Sequence, residues 1–456
     1  MGESKAPPAV SGLSGIDERS SIVRRVAVVG LGYVGLPSAV CLARAGYEVT
    51  GADINARVVE ALARGVSPLK DSVEDGEIAA LVADGRLRAT TDTTLAVREA
   101  DFIIVCVPTP VDEEHRPDLS PLRAASVAIG RGIRRGAVVS YESTTFPGCT
   151  ERECVPLVER ESGLRAGADF GVAYCPERLN PGDDAHKTEI TPRVLGALDA
   201  RSLRIARGVY SSFLSSPLHA CRDIRTAECS KVLENVQRDV NIALVNEFAM
   251  LAPLLGLDAH EVLSAARSKY NFVDVRPGPG VGGHCIPVDP YYLIEEARRV
   301  GFEPRLMSTA REVNDEATRA LGRAILGELG ERADAKVALL GLSYKGGVGD
   351  LRGSPSLRLL DILRPKVRVL SVHDPHVDGE RTLRATRLPA QGLADATKGA
   401  HAIALLTDHP EFREIDWALV AKLAPQAAVF DARGLVEPAA VRAHGLRYWG
   451  VGRGSA

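Results

Sequence analysis

The most constraining feature of the sequence is a glycine-rich turn between a short apolar run and an amphipathic segment. Residues 26–29, VAVV, are apolar and rich in β-branched side chains, as expected of a strand buried on both faces. Gly30, Gly32 and Gly35 follow with the spacing G-x-G-x-x-G, and a helical pattern then extends to about Arg44. This order predicts a parallel α/β domain that holds a dinucleotide pyrophosphate at the N-terminus of the helix.

The second predicted strand ends in an acidic residue. The segment YEVTGAD, residues 47–53, places Asp53 where a carboxylate accepts hydrogen bonds from the adenosine ribose. Because a carboxylate there repels a 2′-phosphate, NAD is favoured over NADP as the cofactor. Arg57 lies nearby and is a further candidate contact, since an arginine can stack on adenine or meet a phosphate.

The strand–helix alternation continues through the first half of the chain. Residues 100–110, ADFIIVCVPTP, and 136–150, GAVVSYESTTFPGCT, each predict a buried strand. Ligands of such sheets lie at the carboxyl ends of the strands, which here carry Pro108, Thr109 and Thr144. The hydroxyls around Thr144 are therefore predicted to contact the nicotinamide half of the cofactor, with ordinary turn formation as the alternative.

A long helix is predicted in the middle of the chain. Helical periodicity runs from about Ile224 to Leu255, and neither proline nor glycine interrupts it before Pro253. A helix of about 28 residues is about 42 Å long, which suggests the spine of a bundle or a dimer interface. Lys231 and Asn235 share one face at i and i+4. Lysine on a helix is usually solvated, but an ammonium beside a carboxamide can stabilise an oxyanion.

The last third repeats the strand–turn–helix pattern without a second G-x-G-x-x-G. Residues 333–363 predict a strand, a turn and a helix, and residues 367–377 predict the next strand, which ends near Asp374. Without the motif a second dinucleotide is not expected, whereas Lys345, Arg352 and Arg433 in strand-end loops suit a nucleoside diphosphate. The predicted fold is two Rossmann-like doubly wound α/β domains joined by a central helical domain with one long helix.

Composition excludes several classes of partner. The 456 residues include 56 Lys and Arg and 59 Asp and Glu, for a net charge of −3. No basic block is present, so nucleic acid is not an expected partner. The apolar runs are too short to span a bilayer, and residues 1–22 have no apolar signal core. We therefore expect a cytoplasmic protein without membrane contact.

One of the eight cysteines has unusual surroundings. No cysteine or histidine grouping has zinc spacing, so no metal is expected, and a chain without a signal sequence does not build a disulfide framework. Cys285 follows Gly282 and Gly283, whose missing side chains let a ligand approach the backbone. Asp289 follows four residues later, so the two side chains share a face if a helix starts at or just before Cys285. A buried thiol in a tight turn is the alternative.

An NAD site and a displayed thiol in one chain suggest a four-electron oxidation. Removal of a hydride from a primary alcohol gives an aldehyde, which a thiolate captures as a thiohemiacetal. Loss of a second hydride gives a thioester, which water cleaves to a carboxylate.

Together with its other motifs, the sequence resembles the UDP-glucose/GDP-mannose dehydrogenase family of nucleotide-sugar 6-dehydrogenases. Six motifs occur in the family's order over about residues 24–450: GLGYVGLP, STT, PERLNPG, the helix with Lys231 and Asn235, GGHCIPVDP and GLSYKGGVGDLRGSPS. The resemblance implies two NAD⁺ per nucleotide-sugar substrate and a homodimer or higher homo-oligomer. It also implies an NAD-binding domain at 24–222, a central dimerisation domain at 223–325 and a UDP-binding domain at 326–456. The residues before them, 1–23, are predicted from their composition to be a disordered tail.

The resemblance assigns roles to individual residues. Cys285 matches the nucleophile, and Lys231 and Asn235 match the pair that stabilises the oxyanion. Asp289 matches the acid that supports Lys231 and the catalytic water. Glu177 matches a carboxylate associated with thioester hydrolysis.

The remaining implied contacts surround these groups. Thr144 matches the hydroxyl that orders the catalytic water, and Arg267 is implied to reach the partner subunit's site. The predicted cofactor contacts are Gly30, Gly32, Tyr33, Val34, Gly35, Asp53, Arg57, Pro108, Thr109, Thr144 and Arg352. The predicted substrate contacts are Glu177, Arg178, Leu179, Lys231, Asn235, Arg267, Gly282, His284, Tyr344, Lys345 and Arg433.

Two departures from the glucose branch favour another substrate. His284 precedes Cys285, and position 181, four after Glu177, is proline where the glucose branch has a second carboxylate. GGHCIPVDPYYL and PERLNPG resemble the branch that oxidises UDP-N-acetylhexosamines, especially UDP-N-acetylglucosamine. A UDP- or dTDP-glucose enzyme is the alternative. More distant alternatives are a two-electron hydroxyacid dehydrogenase and a catalytically silent NAD or nucleotide-sugar sensor.

Overall fold

The computed structural model describes residues 23–69, 73–178 and 188–453. The predicted tail, apart from Val23, and the predicted substrate contact Leu179 lie outside the described residues. The described chain forms two compact units. The first unit contains the described residues of 23–108, 120–143 and 148–227, and the second those of 109–119, 144–147 and 228–453.

The first unit is built on one mostly parallel sheet. Among the described residues its strand order is β3-β2-β1-β4-β5-β6-β7-β8, and only the β6–β7 pair is antiparallel. The strands are β1 Arg25–Val29, β2 Glu48–Ala52, β3 Leu87–Thr90, β4 Phe102–Val105, β5 Val138–Tyr141, β6 Gly171–Tyr174, β7 Arg193–Ala197 and β8 Leu218–Ala220. The apolar runs predicted as strands are buried, as expected where helices cover both faces of a sheet.

Helices follow most of these strands, as in a doubly wound fold. They are α1 Gly35–Arg44, α2 Ala56–Ala63, α3 Asp75–Ala83, α4 Thr93–Val97, α5 Ser120–Gly132, α6 Val155–Ser162 and α7 Ala200–Ser211, with a π-helical turn at Thr150–Cys154. The strand order places β1 and β4 side by side, which is where the direction of winding reverses and where such sheets bind their ligand.

The middle of the chain is helical. Its elements are α8 Ile224–Leu251, α9 Ala259–Ala266, α10 Asp289–Arg299 and α11 Arg305–Leu329. The long helix predicted to Leu255 changes to a 3₁₀ segment at Ala252–Leu255, because Pro253 lacks the N–H that an α-helix needs there. No helix in the described part of the chain has a stretch long and apolar enough to cross a bilayer.

The second sheet is parallel throughout, in the order β10-β9-β11-β12-β13 across the described residues. Its strands are β9 Lys336–Leu340, β10 Val369–His373, β11 Ala402–Leu405, β12 Ala428–Asp431 and β13 Arg447–Gly450. Its helices are α12 Pro355–Leu363, α13 Gly379–Thr386, α14 Leu393–Thr397, α15 Trp417–Leu423 and α16 Pro438–Arg442, with a 3₁₀ segment at Pro410–Glu414. The predicted fold class, two Rossmann-like domains and a helical middle, is confirmed.

The acidic residue at the second Rossmann-like turn is buried and hydrogen-bonded within the fold. Asp374, which follows β10, accepts hydrogen bonds from the backbone N–H groups of Leu342 and Ser343 at 2.7 and 2.9 Å. Its Oδ2 also lies 3.1 Å from Nε2 of His409. This carboxylate therefore stabilises its own turn.

Candidate active site

The three glycines of the first turn have three different reasons to lack a side chain. Gly30 has a φ of 90°, and a Cβ there would lie 2.8 Å from the carbonyl oxygen of Cys106. A Cβ on Gly35 would lie 1.8 Å from the carbonyl oxygen of Gly30, so α1 packs too closely for any larger residue. A Cβ on Gly32 would meet no protein atom within 4 Å. Gly32 is exposed, so the space beside it is open to a ligand.

Asp53 stands beside this turn. Its Oδ2 accepts the backbone N–H of Leu31 at 2.8 Å, and its Oδ1 accepts that of Asn55 at 2.9 Å. Each carboxylate oxygen has a second acceptor site, and Asp53 is only partly buried, so a ribose hydroxyl can still donate to it. Arg57 is exposed in the first turn of α2. Open space at Gly32 and an accessible carboxylate at the strand end fit NAD.

The remaining cofactor candidates divide between the two units. Tyr33 and Val34 lie at the start of α1 and are half-buried, and Pro108 is exposed. Thr109 and Thr144 belong to the second compact unit, which also contains Cys285. Thr109 is buried, and Thr144 is partly exposed.

Residues 277–288, the cysteine loop, are held by three side chains from different helices. Asn246 of α8 accepts a backbone N–H of the loop at 2.9 Å. Thr318 of α11 and Arg358 of α12 donate to loop carbonyls, each at 2.6 Å. An irregular segment needs such partners, because its backbone groups lack those of a helix or sheet. The loop is therefore fixed.

The glycine pair before the cysteine packs against protein. A Cβ on Gly282 would lie 2.6 Å from Cβ of Tyr344 and 2.8 Å from Cδ of Pro355. Gly283 has a φ of 91°, and a Cβ there would lie 3.0 Å from the Tyr344 ring. The sequence pattern predicted that this pair lets a ligand approach the backbone closely. The structure gives another reason, since the missing side chains make room for Tyr344 and Pro355.

Cys285 is exposed at the end of this loop. Its carbonyl oxygen accepts the backbone N–H of Val288 at 3.1 Å and that of Asp289 at 2.8 Å. The helix α10 begins at Asp289 and not at or just before Cys285, and a turn precedes it. Even so, the i to i+4 hydrogen bond joins the cysteine backbone to the first residue of α10.

Charged neighbours act on the thiol in opposite directions. Protein atoms surround much of Cys285 although it remains accessible, and this desolvation raises its pKa above the usual value. The negative charge of Asp289 raises the pKa further, while the positive charges of Lys231 and Arg352 lower it. Of the positive charges around the thiol, Lys231 has the largest effect in favour of the thiolate.

Lys231, Asn235 and Asp289 form a buried polar group, with relative exposures of 8%, 4% and 3%. The side-chain amide of Asn235 donates to Oδ2 of Asp289 at 2.5 Å. Burial raises the pKa of Asp289 to about 6, against the opposing effects of the Lys231 charge and the Asn235 hydrogen bond. A carboxyl group with such a pKa is ionised at neutral pH and can still exchange a proton.

Arg238 was not among the predicted site residues. Its positive charge lowers the pKa values of both Cys285 and Tyr344. The signal was available, because Lys231, Asn235 and Arg238 are spaced i, i+4 and i+7 and so share one face of α8.

Several predicted substrate contacts belong to the second unit. The Arg433 guanidinium donates to the carbonyl oxygen of Leu406 at 3.0 Å and to that of Tyr344 at 3.3 Å. Burial lowers the pKa of His284, and the charge of Arg352 lowers it further.

A predicted cofactor contact, Arg352, and a predicted substrate contact, Arg267, are both ion-paired in the second unit. Arg352 makes a forked ion pair with Asp350, at 2.7 to 3.1 Å. Arg267 pairs with Asp274. Lys345 is half-buried.

Glu177 lies in the first unit and is buried. Its Oε1 accepts the backbone N–H of Arg178 at 2.7 Å, and its Oε2 accepts a hydrogen bond from the guanidinium of Arg193. The side chain of Arg178 donates to the carbonyl oxygen of Pro192 at 3.1 Å. Arg193, the first residue of β7, was not among the predicted site residues.

One group of three residues in the described chain has the composition of a metal site. Ligand atoms of His376, His409 and Glu411 lie within 4.8 Å of one another. His409, however, accepts the N–H of Gly347 at Nδ1 and meets Asp374 at Nε2, both at 3.1 Å. Its ring nitrogens therefore serve hydrogen bonds of the fold. That the protein needs no metal stays a prediction.

Comparison with known proteins gives the family. Family models match three successive segments: the NAD binding domain of the UDP-glucose/GDP-mannose dehydrogenase family at residues 24–214, its central domain at 225–316 and its UDP binding domain at 338–438. The chain is 36% identical over 435 residues to UDP-N-acetyl-D-mannosamine dehydrogenase of Pyrococcus horikoshii, covering 94% of this chain and 99% of that one.

Two further similarities agree. The chain is 37% identical over 422 residues to UDP-N-acetyl-D-glucosamine 6-dehydrogenase of Pseudomonas aeruginosa, covering 91% of this chain and 97% of that one. A solved structure of UDP-D-ManNAc dehydrogenase from Pyrococcus horikoshii matches with a TM-score of 0.87 and 35% identity, over 95% of this chain and 100% of that one. The chain therefore belongs to the UDP-glucose/GDP-mannose dehydrogenase family and is an NAD-dependent nucleotide-sugar dehydrogenase.

Proposed function

We propose that the protein oxidises the C6 alcohol of a UDP-N-acetylhexosamine to the carboxylate, through a thioester on Cys285. The observation that carries this proposal is an exposed cysteine whose carbonyl bonds to the first residue of α10, Asp289. Asp289 in turn accepts a hydrogen bond from Asn235, and it interacts electrostatically with the buried Lys231. A thiol, an ammonium, an amide and a carboxyl group are the parts that such a reaction needs.

The buried ammonium and amide serve the first half of the reaction. NAD⁺, when bound at the glycine turn, supplies the hydride acceptor for each of two oxidations. The Cys285 sulfur adds to the C6 aldehyde, and the oxygen gains negative charge as the C–S bond forms. Lys231 and Asn235 stabilise that oxygen, because a buried cation and an amide N–H favour charge where water is excluded.

Carboxyl groups serve the second half. Asp289, with a pKa of about 6, is ionised at neutral pH and holds Asn235 in place. In this proposal Glu177 accepts a hydrogen bond from the hydrolytic water and orients it. The Thr144 hydroxyl donates a hydrogen bond to the same water. Water adds across the C–S bond and gives the uronate, the Cys285 thiol and one proton.

The hexosamine preference rests on motifs and relatives. The two relatives described above are named for UDP-N-acetyl-D-mannosamine and UDP-N-acetyl-D-glucosamine. His284 and Tyr344 lie next to or near the thiol and are candidates for contact with the sugar. Lys345 and Arg433 are candidates for the diphosphate, since both are cationic and lie in strand-end loops. Oxidation of UDP- or dTDP-glucose is the second candidate function.

A panel of UDP-N-acetylglucosamine, UDP-N-acetylmannosamine, UDP-glucose and dTDP-glucose tests the proposal. We expect two NADH per molecule of an N-acetylhexosamine substrate and a higher kcat/KM for it than for the glucose compounds. One NADH per substrate would indicate the two-electron dehydrogenase, and no turnover with any of them would indicate the sensor. The Cys285→Ser protein is the control, because it should release no uronate.

We also propose a homodimer formed through α8. Leu233, Leu244 and Leu251 recur on one face of this helix with exposures of 55%, 64% and 46%. A monomer rarely exposes such an apolar row. Leu244→Glu should lower the mass measured by analytical ultracentrifugation, whereas Leu95→Glu, at an exposed leucine of α4, should not. An unchanged mass for both variants would contradict this interface.

We propose a cytoplasmic location for this enzyme. All eight cysteines are free thiols, as expected in a reducing compartment.

A further inference from the structure

Arg193, the first residue of β7, is fully buried although it carries a charge. Its relative exposure is 0%, and its guanidinium carbon lies 5.8 and 5.7 Å from the ring centroids of Tyr210 and Phe213. Burial opposes the charge, but the carboxylates beside it outweigh this effect and raise the pKa of Arg193 above its usual value. It is therefore a permanent buried cation, and such a charge is tolerated only with close partners.

Two carboxyl groups share this cation. Nη2 of Arg193 donates to Oε2 of Glu177, and Nη1 lies 3.4 Å from Oε1 of Glu142. Since Oε1 of Glu177 also accepts the N–H of Arg178, both oxygens of Glu177 are fixed in position.

Glu142 is the member of the group whose charge can change near neutral pH. Burial raises its pKa to about 7; Arg193 opposes this rise, and the charge of Glu177 adds to it. The Tyr210 hydroxyl donates to Oε1 of Glu142 at 2.9 Å, and the Cys106 thiol lies 3.5 Å from Oε2. Burial also raises the pKa values of Tyr210 and Cys106, and of the neighbouring Cys175, so these groups stay neutral.

We propose that Arg193 is a positioning residue for thioester hydrolysis: it holds Glu177 in the orientation that aims the hydrolytic water, and Glu142 balances its remaining charge. This inference rests on the proposed function, in which Glu177 acts on the Cys285 thioester. Arg193 touches neither substrate nor cofactor in this account. The three charges are separated along the chain by several elements and meet only in the folded sheet.

Under this proposal the oxidation steps and the hydrolysis step depend on different residues. The oxidation steps use Cys285, Lys231 and bound NAD⁺, and none of them needs Arg193. Hydrolysis, which adds water across the C–S bond, should slow when the guanidinium no longer fixes Glu177. A positioned acid or base typically contributes about 10²- to 10⁴-fold to a rate, so a loss of about 10²-fold is expected.

The test is single-turnover chemistry on Arg193→Met, Arg193→Lys and Glu177→Gln, with the nucleotide sugar that the parent enzyme oxidises. We expect Arg193→Met to release two NADH per active site in a burst and then to turn over about 10²-fold more slowly. Intact-protein mass should show an acyl adduct on Cys285. Arg193→Lys keeps the charge and should recover part of the hydrolysis rate. The Arg193→Met/Glu177→Gln double variant should be no slower than either single variant, because both act on one step.

Tyr210→Phe is the matched control. It removes a buried hydroxyl that contacts Glu142 and leaves the Arg193–Glu177 pair intact, so no adduct should accumulate. Glu142→Gln should keep hydrolysis and remove an inflection near pH 7 from its pH profile.

Hydrolysis at the parent rate in Arg193→Met or Arg193→Lys would overturn the proposal, as would loss of the NADH burst in a variant that melts like the parent. If Arg193→Met does not fold, a parent-like Arg193→Lys still overturns it. Failure of the proposed function has a different signature, since the parent enzyme itself would then give fewer than two NADH.

Discussion

Replacement of Asp289 by asparagine should stabilise the protein while it impairs catalysis. Asp289 is buried, and its pKa of about 6 exceeds the usual 3.8. The folded state therefore holds a proton that the unfolded state has already released, and stability falls as the pH rises from 3.8 through about 6. The difference between these values corresponds to about 3 kcal/mol of destabilisation, fully present above pH 6. A neutral amide at this position avoids that cost and can still accept the hydrogen bond from Asn235.

Thermal unfolding of parent and variant at several pH values measures this effect. For a unit of 150–250 residues, 1 kcal/mol corresponds to about 2–4 °C, so Asp289→Asn should melt about 6–12 °C higher than the parent at pH 8. The increase should be about half as large at pH 5 and nearly absent at pH 4. A variant that melts below the parent at pH 8, or a difference independent of pH, would refute this reasoning.

Asp374→Asn is the matched control with the opposite sign. Burial opposes ionisation of Asp374, but hydrogen bonds from His409 and from backbone N–H groups hold its pKa below the usual value. Its stabilising contribution is present above pH 3.8 and is lost as the pH falls. This variant should therefore melt lower than the parent at pH 8, and the deficit should shrink in acid.

Two further predictions concern the cofactor turn and the buried ammonium. Gly35→Ala should destabilise the first unit in a melting experiment, because its Cβ would collide with the Gly30 carbonyl at 1.8 Å. Gly32→Ala meets no protein atom within 4 Å, so it should melt like the parent and weaken NAD⁺ binding in calorimetry. Equal melting of both variants would contradict the packing account. Lys231→Met should lower kcat for NADH formation by about 10²- to 10³-fold. An effect confined to KM would remove Lys231 from the chemistry.

The cofactor turn and the two sheets could be predicted because local constraints determine them. The G-x-G-x-x-G spacing follows from steric requirements at Gly30 and Gly35, and these act within a few residues. Continuous apolar runs mark strands that are buried on both faces. The spacing of Lys231 and Asn235 fixed their common face, but it did not reveal that both are buried.

The parts that escaped prediction depend on contacts distant in sequence. Arg193, Glu142 and Glu177 meet because β5, β6 and β7 are neighbours in the sheet, and no local pattern in the sequence records this. The packing of Gly282 and Gly283 against Tyr344 depends on a segment about 60 residues later in the sequence. Periodicity also could not place the start of α10, because a turn with i to i+4 bonding precedes it.

Rapid chemical quenching, followed by mass analysis of the peptide that contains Cys285, tests the central claim most directly. The parent enzyme is mixed with NAD⁺ and its preferred nucleotide sugar and is stopped within one turnover. We expect a fraction of the peptide to carry the acyl group of the sugar acid on sulfur, and hydroxylamine to remove it. Uronate that forms at the full rate while this peptide stays unmodified at every time point would contradict a covalent route through Cys285.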